Sequence, residues 1–373
     1  MKNGKTPVIL QVIPHLGAGG AEQGCIDIAA ELVASGAEAI VVSNGGTRLH
    51  ELQRAGATHI DLPVDSKNPF VMWQNIFRLR KLITKYEVDI VHARSRAPAW
   101  SALKACEGTA ARFVTTCHAP YNIQNTAKKF YNSSIAKGER VIAISHYVAD
   151  YLRANFGLGE DVIRIIHRGV PLDRFHPSLV TPERLVKLSR EWRIPEGMNI
   201  VMLPGRLTRW KGQIEFIRAL AQVVNEDAFG LILGDEQGRV EYKDELFALI
   251  EELGLESKVR IVEHCNDMPA AYMLSTVVVS ASTEPEGFGR VPVEAQAMGR
   301  IAIATNHGGA METIIPGHTG WLIPPSDPEA LAQAITAALS LTKEQRDMMA
   351  AQAMAHVSQH FSKTVMADKT LNV

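Results

Sequence analysis

Asn199-Ile200-Val201-Met202-Leu203-Pro204-Gly205-Arg206-Leu207-Thr208-Arg209-Trp210-Lys211-Gly212 lies just past the middle of the chain. Its first five residues read as a buried strand, and the glycine-bearing loop after them runs into a helix expected over Gln213–Val224. Ile214, Ile217, Leu220 and Val224 would share one face of that helix. A strand, a loop and a helix opening a new alternation at this point imply a second α/β unit. Upstream, strands are expected at Val8–Ile13, Ala39–Ser43, Ile60–Leu62, Asp89–His92, Arg112–Thr116, Val141–Ile144 and Ile163–His167, with helices such as Ala21–Ala34 and Trp73–Lys85 between them. Thr181 and Pro182 then start a helix ending near Trp192. Downstream, strands at Phe229–Leu233, Lys258–Val262, Thr276–Ser280 and Ile301–Thr305 alternate with helices at Glu241–Leu253 and Pro328–Leu339, and Met348–Phe361 is helical before the pattern fades. The simplest account is two doubly wound parallel-sheet units, 1–175 and 176–355; the remaining segment, 356–373, is expected to pack back on the first, which the alternation itself does not show.

Composition supports this division. At about 150 residues per domain, 373 residues make two to three domains. A hydrophobic share of 46% with 21% charged residues excludes disorder and fibrous classes. The net charge of −1 argues against a nucleic-acid partner. That balance hides an asymmetry: residues 1–175 carry 21 Lys+Arg against 15 Asp+Glu, and the remainder 18 against 25. Cys25, Cys106, Cys117 and Cys265 are scattered with no metal spacing, as expected of free thiols in a reducing compartment. The first apolar run is too short for a signal peptide, and nowhere do 18 apolar residues run together. A cytoplasmic protein is expected.

In open parallel sheets ligands sit beyond the carboxyl ends of the strands, so the loops there carry the functional reading. The first, Pro14-His15-Leu16-Gly17-Ala18-Gly19-Gly20-Ala21-Glu22, enters a helix and is a ready anion site. It is equally a tight turn with no ligand. Glu22 stands where a dinucleotide fingerprint needs glycine, and Ser43-Asn44-Gly45-Gly46 lacks the acidic ribose ligand, which disfavours NAD. In the second unit Arg206 and Lys211 supply a fork and a point charge suited to a diphosphate, unless both are merely solvated. In Glu284-Pro285-Glu286-Gly287-Phe288-Gly289-Arg290-Val291-Pro292-Val293-Glu294, two glutamates flank glycines ahead of a helix expected near Val291. The helix dipole accounts for one acidic residue there but not for both.

Taken together these features make the chain resemble a retaining glycosyltransferase of family 4, with the GT-B fold of two facing Rossmann-like domains and a cleft between them. The matching stretches are Gly19-Gly20-Ala21-Glu22, Gly205-Arg206 with Lys211-Gly212, the Glu286/Glu294 pair around Phe288-Gly289, and Gly308-Gly309 after the Ile301–Thr305 strand. The resemblance implies that Arg206 and Lys211 grip the diphosphate of a UDP-, GDP- or ADP-sugar donor. It implies that Glu286 meets the sugar hydroxyls and Glu294 the ribose, that the backbone of Phe288, Gly289, Arg290 and Val291 supports phosphate and sugar, and that Gly19 and Gly20 border the donor. His118 matches a family histidine near the donor sugar, and it reads equally as a structural residue. Arg168-Gly169-Val170-Pro171 departs from the more usual Asn-Gly-Val-Asp, and Gly234-Asp235-Glu236-Gln237-Gly238 is longer than the common glycine turn. No cofactor and no metal are expected, and the chain has no D-x-D carboxylate pair.

The acceptor expected from the resemblance is a glycan or a lipid-linked saccharide, in lipopolysaccharide or envelope polysaccharide synthesis. A GT-B nucleotide-sugar epimerase and a two-domain solute-binding protein are the alternatives. Arg78, Lys81 and Lys85 recur on one helical face behind Phe70-Val71-Met72-Trp73, with Lys128 and Lys129 further on. This basic surface either docks on an anionic membrane at its inner face or is a solvated helix whose apolar residues pack inward.

Overall fold

The computed structural model describes residues 6–17 and 19–373, so Ala18 of the first glycine loop lies outside the described residues. The chain divides into two compact units. One takes it up to Gly169 together with Lys363–Val373, and the other is Val170–Ser362.

The first unit holds seven strands: β1 Val8–Val12, β2 Glu38–Ser43, β3 Thr58–Asp61, β4 Ile90–Ala93, β5 Arg112–Cys117, β6 Arg140–Ala143 and β7 Ile163–Ile165. All pair in parallel, in the order β3-β2-β1-β4-β5-β6-β7. Helices cover both faces of such a sheet, which explains why its strands read as near-continuous apolar runs. Ile9, Ile13, Ile26, Ala29, Val41 and Leu52 are among the side chains of its core. The second unit holds β8 Asn199–Pro204, β9 Ala228–Leu233, β10 Val259–Val262, β11 Val277–Ser280, β12 Ile301–Thr305 and β13 Gly320–Ile323. These too are parallel, in the order β10-β9-β8-β11-β12-β13. Phe216, Leu246, Val279, Ile303 and Ile335 are fully buried in its core.

In each unit the chain winds outward from the first strand and then returns to its other side. β1 and β4 therefore flank one switch point, and β8 and β11 flank the other. Loops leaving such a pair diverge and open a crevice beyond the strand ends.

Several expectations are corrected. The 175/176 boundary moves to Gly169/Val170, because Val170 N–H donates to the Phe361 carbonyl at 2.8 Å and Val170 bridges Ser362. The 355/356 boundary falls inside the helix Lys343–His360, so the return to the first unit begins only at Lys363, where a further helix Lys363–Leu371 forms. The helix from Gln213 ends at Leu220. Val224 therefore leaves its apolar face and is 86% exposed, while Val223 takes the buried position. Thr181 does precede the helix Pro182–Glu191, but its side chain accepts no backbone N–H and instead bonds Glu183. The expectation of free thiols agrees with the four cysteines as found, with Cys25 and Cys117 pushed by burial up to about 11 and about 12.

Candidate active site

The second unit's switch point brings two sequence-distant groups into contact. β8 runs out through Pro204 into a short 3-10 turn, Arg209–Lys211, closed by Gly212 at φ +77°. A Cβ on Gly212 would lie 1.9 Å from the Ala281 carbonyl oxygen, so only glycine lets this loop lie against the end of β11. The Thr283 N–H donates to the Trp210 carbonyl at 2.8 Å and ties the two loops together. Held in this way, Lys211 Nζ donates to Glu286 Oε1 at 2.8 Å, with both side chains largely buried. Ser282 Oγ donates to the same oxygen at 2.5 Å, and Ser280 Oγ reaches it at 3.5 Å. Burial pushes the Glu286 carboxyl up, but Lys211 and the two serines outweigh it, and its pKa lies below the usual carboxylate range.

Arg206 is exposed one residue past the glycine, and its guanidinium has no ion pair or hydrogen bond among the described residues. Its neighbour Arg209 is committed elsewhere, in a two-pronged pair with Glu245 at 2.8 and 2.5 Å. Among the described residues Arg206 is thus a free cation, and Lys211 is one held at a carboxylate. Arg206 is solvated, and Lys211 is not.

The helix Arg290–Ala297 starts at Gly289, whose φ of +87° turns the chain into it, and its first N–H groups lack intrahelical partners. Phe288 is buried against Phe361 with ring centroids 5.8 Å apart, so only its backbone is offered to the crevice. Val291 lies in the first turn, and one turn inside the helix Glu294 is nearly buried. It accepts from Tyr272 OH at 2.8 Å on one oxygen and from Arg290 at 2.5 Å on the other. Gly308 and Gly309 after β12 close the far side, where the Gly309 N–H donates to the Glu286 carbonyl at 2.8 Å. His307 and Thr305 both bond the Ser282 carbonyl. Ser280, Ser282, Tyr272, Thr305 and His307 were not singled out in the sequence. A Ser-x-Ser at the end of a strand, four residues before Glu286, is the signal that points to the first two.

His118, Gly19 and Gly20 belong to the first unit, where the chemistry differs. Gly20 opens the helix Gly20–Ala34 after β1. Its carbonyl accepts from Arg168, whose guanidinium lies across Gly24 so closely that a Cβ there would sit 2.1 Å from Nη2. The Arg168-Gly169 departure noted in the sequence therefore braces the glycine loop. Arg94, at the end of β4, is fully buried and donates to Gln11 Oε1 at 3.0 Å. His118 follows β5, with its ring bonded to the Arg94 backbone and Nε2 enclosed without a hydrogen-bond partner. Burial first, then Arg168, Arg94 and His92, hold it well below its ordinary pKa and keep it neutral. His92, bonded to Thr116 Oγ1 at 2.7 Å, is lowered in the same direction by burial and Arg94.

Comparison with known proteins agrees with this architecture. The model described as Glycosyltransferase Family 4 matches residues 18–174, and that described as Glycosyl transferases group 1 matches residues 187–355. The crystal structure of a glycosyltransferase from Rickettsia africae ESF-5 is 40% identical, with a TM-score of 0.92 over 98% of this chain and 97% of that one. HepE of Anabaena, solved with UDP and glucose, shares the fold at 24% identity, with a TM-score of 0.84 over 98% of both chains. D-inositol 3-phosphate glycosyltransferase 1 of Catenulispora acidiphila is 32% identical over 212 residues, or 54% of this chain, and the match spans about half (49%) of that relative's length. The spore coat protein SA of Bacillus subtilis strain 168 is 24% identical across 95% of this chain and 94% of its own. With both parallel-sheet units matched by family models and the Rickettsia relative aligned almost end to end, the chain belongs to the GT-B glycosyltransferases, with a family 4 amino-terminal domain and a group 1 carboxy-terminal domain.

Proposed function

We propose that this chain transfers a hexose from a nucleoside-diphosphate sugar to a glycan or lipid-linked acceptor with retention at the anomeric carbon, in the synthesis of lipopolysaccharide or another envelope polysaccharide. The observation that carries this reading is the pairing of Lys211 with Glu286 at the β8/β11 switch point, with the unpartnered Arg206 beside it. An incoming diphosphate gains a bidentate fork from Arg206 and a charge from Lys211. As Lys211 turns toward phosphate, Glu286 is released to accept hydroxyls of the sugar. Glu294, already oriented by Tyr272 and Arg290, receives the ribose hydroxyls on its remaining lone pairs. The backbone N–H groups at the start of the helix Arg290–Ala297 add a positive terminus for phosphate.

In the proposed reaction the bond from the anomeric carbon to the leaving phosphate oxygen breaks while the acceptor oxygen bonds on the same face. The leaving phosphate takes the acceptor proton. Charge growing on that phosphate falls on Arg206, Lys211 and the helix terminus, so the reading needs no metal. Donors of this kind are typically worth about 2.7–4 kcal/mol each in the transition state. His118 and the Gly19-Gly20 turn are assigned to the sugar side, with His118 kept neutral as a hydrogen-bond partner. That HepE of Anabaena was solved with UDP-glucose supports a UDP-sugar among the UDP, GDP and ADP donors. For a lipid-linked acceptor the reaction runs at the inner face of the membrane. Among the described residues no helix is long and apolar enough to cross a membrane; in this reading the protein works there as a peripheral component.

A thermal-shift screen against UDP-, GDP- and ADP-sugars tests the donor. The matching one at about 100 times its Kd adds roughly 2.7 kcal/mol of stability. Product analysis with that donor then yields a new glycoside with the donor's anomeric configuration. An epimerised nucleotide sugar, or an inverted glycoside, overturns the proposal.

A further inference from the structure

The helix Pro69–Lys85 carries large apolar side chains on both its faces, more than a helix that only covers a sheet requires. Its inward face carries Asn75, Leu79 and Ile83, with Asn75 Nδ2 bonded to the Pro63 carbonyl at 2.9 Å. Its outward face carries Phe70, Trp73 and Phe77, which are 63%, 55% and 52% exposed. Spaced at i, i+3 and i+7, these rings form one stripe. They pack on each other, with centroids 6.0 Å apart for Phe70–Trp73 and 4.9 Å for Trp73–Phe77. Nearby, Phe130 is 67% exposed and stacks on Trp100 at 5.0 Å. Trp73, Ile76, Trp100 and Phe130 line a shared groove of about 410 Å³. Contiguous exposed aromatic surface of this kind marks a contact with something else.

The charges around it say what. Lys81 and Lys85 continue the same stripe, and Lys67, Lys128 and Lys129 stand at its other borders. All five are exposed and form no ion pair among the described residues, while Arg78 bonds only the neutral amides of Gln74 and Asn75. A second copy docking here by two-fold symmetry would set lysines against lysines. Aromatic rings ringed by cations match instead the boundary between an anionic headgroup layer and its acyl chains. We propose that the stripe Phe70-Trp73-Phe77 inserts as a wedge into an anionic lipid surface, seated by Lys81, Lys85 and the lysines around them. The proposal rests on the reading above only for its purpose, which is to bring the acceptor side of the protein to where a lipid-linked acceptor is presented.

Co-sedimentation of the whole protein with phosphatidylcholine vesicles, with and without phosphatidylglycerol, tests this with no donor present. Binding is expected only with phosphatidylglycerol and weakens as salt rises. Lys81→Glu with Lys85→Glu lowers the partition coefficient by at least about 25-fold. Trp73→Ser with Phe77→Ser lowers it by at least about tenfold at low and high salt alike, and both variants keep wild-type thermal stability and nucleotide binding. Equal binding to neutral vesicles overturns the role of the lysines. Absence of binding at low salt overturns the proposal outright, and a dimer in solution that Trp73→Ser with Phe77→Ser dissociates reassigns the stripe to self-association. Loss of nucleotide binding in the wild type leaves the vesicle result standing and strikes only the transfer reaction.

Discussion

Both units send a glycine-bearing loop from their first strand into a helix beside a topological switch point, yet they use their cations in opposite ways. In the first unit the guanidinium groups are drawn into the framework. Arg94 is buried on Gln11 and Arg168 is fastened to the Gly20 carbonyl. In the second, Arg206 stands free in solvent, and Lys211 lies over the Trp210 ring with its one ion pair, among the described residues, to a carboxylate that a stronger anion can replace. The backbone supplies the place in each case, and the partners of the cations decide whether it is a brace or a binding site. Substitutions in the first loop should therefore act chiefly on stability, and those in the second on ligand and turnover, with a stability cost wherever a buried partner is left unpaired.

Lys211→Ala has the largest expected effect. Loss of a charge partner in the transition state lowers kcat/KM by on the order of 10²–10³-fold. It also leaves Glu286 largely buried and unpaired, which costs about 3 kcal/mol of stability. Adding Glu286→Gln to Lys211→Met recovers much of that stability and none of the activity. Chemical denaturation beside steady-state kinetics checks both halves, and recovery of activity in the double variant would break the comparison.

Gly24→Ala comes next. The new Cβ displaces the Arg168 guanidinium from the Gly20 carbonyl, and overpacking at such a site costs about 1–3 kcal/mol. Nucleotide affinity, which the proposed function assigns to the other unit, stays within about twofold in calorimetry. A loss of affinity much larger than this, without a loss of stability, would make the first loop a nucleotide site in its own right.

The smallest effect is one of pH. His92 and His118 are held neutral, their folded pKa values well below the ordinary 6.5, chiefly by burial. Below pH 6.5 the unfolded chain thus binds protons that the native chain refuses. Their contribution is complete above about pH 6.5 and is lost as pH falls. The melting temperature should decline from pH 7 to pH 5, and His92→Gln should flatten that slope. Glu286, depressed in its turn, adds a loss that begins only near its ordinary 4.5 and runs below it.

How much of this was legible in the sequence follows from the range of the interactions. Strand positions were readable because buried parallel strands are continuous apolar runs. β13 was not, since Gly320-Trp321-Leu322-Ile323 is four residues long and opens on glycine. Val224 fits the helical period but lies past the helix end, which is set by the turn that follows and not by periodicity. At the site, Arg206, Lys211, Glu286 and Glu294 were marked from their loops one by one. That Lys211 and Glu286 neutralise each other across 75 positions, or that Arg168 reaches back 148 to Gly20, depends on which strands lie side by side. The outward aromatic stripe was legible only in part, Phe70 and Trp73 being marked beside the basic face with packing inward left open. Phe70, Trp73 and Phe77 carry the period of a core face, and only packing reveals that Asn75, Leu79 and Ile83 took the inside.

Calorimetric titration of wild type and Arg206→Ala with UDP, GDP and ADP tests the central claim most directly, that a nucleoside diphosphate is held at the β8/β11 crevice by its free cation. The account predicts that the wild type binds one of the three and that Arg206→Ala weakens it at least about tenfold, as for loss of a charged hydrogen bond, while the unliganded melting temperature is unchanged because Arg206 is exposed and unpartnered. Affinity within twofold of wild type in Arg206→Ala, or no binding of any of the three by the wild type, would contradict it.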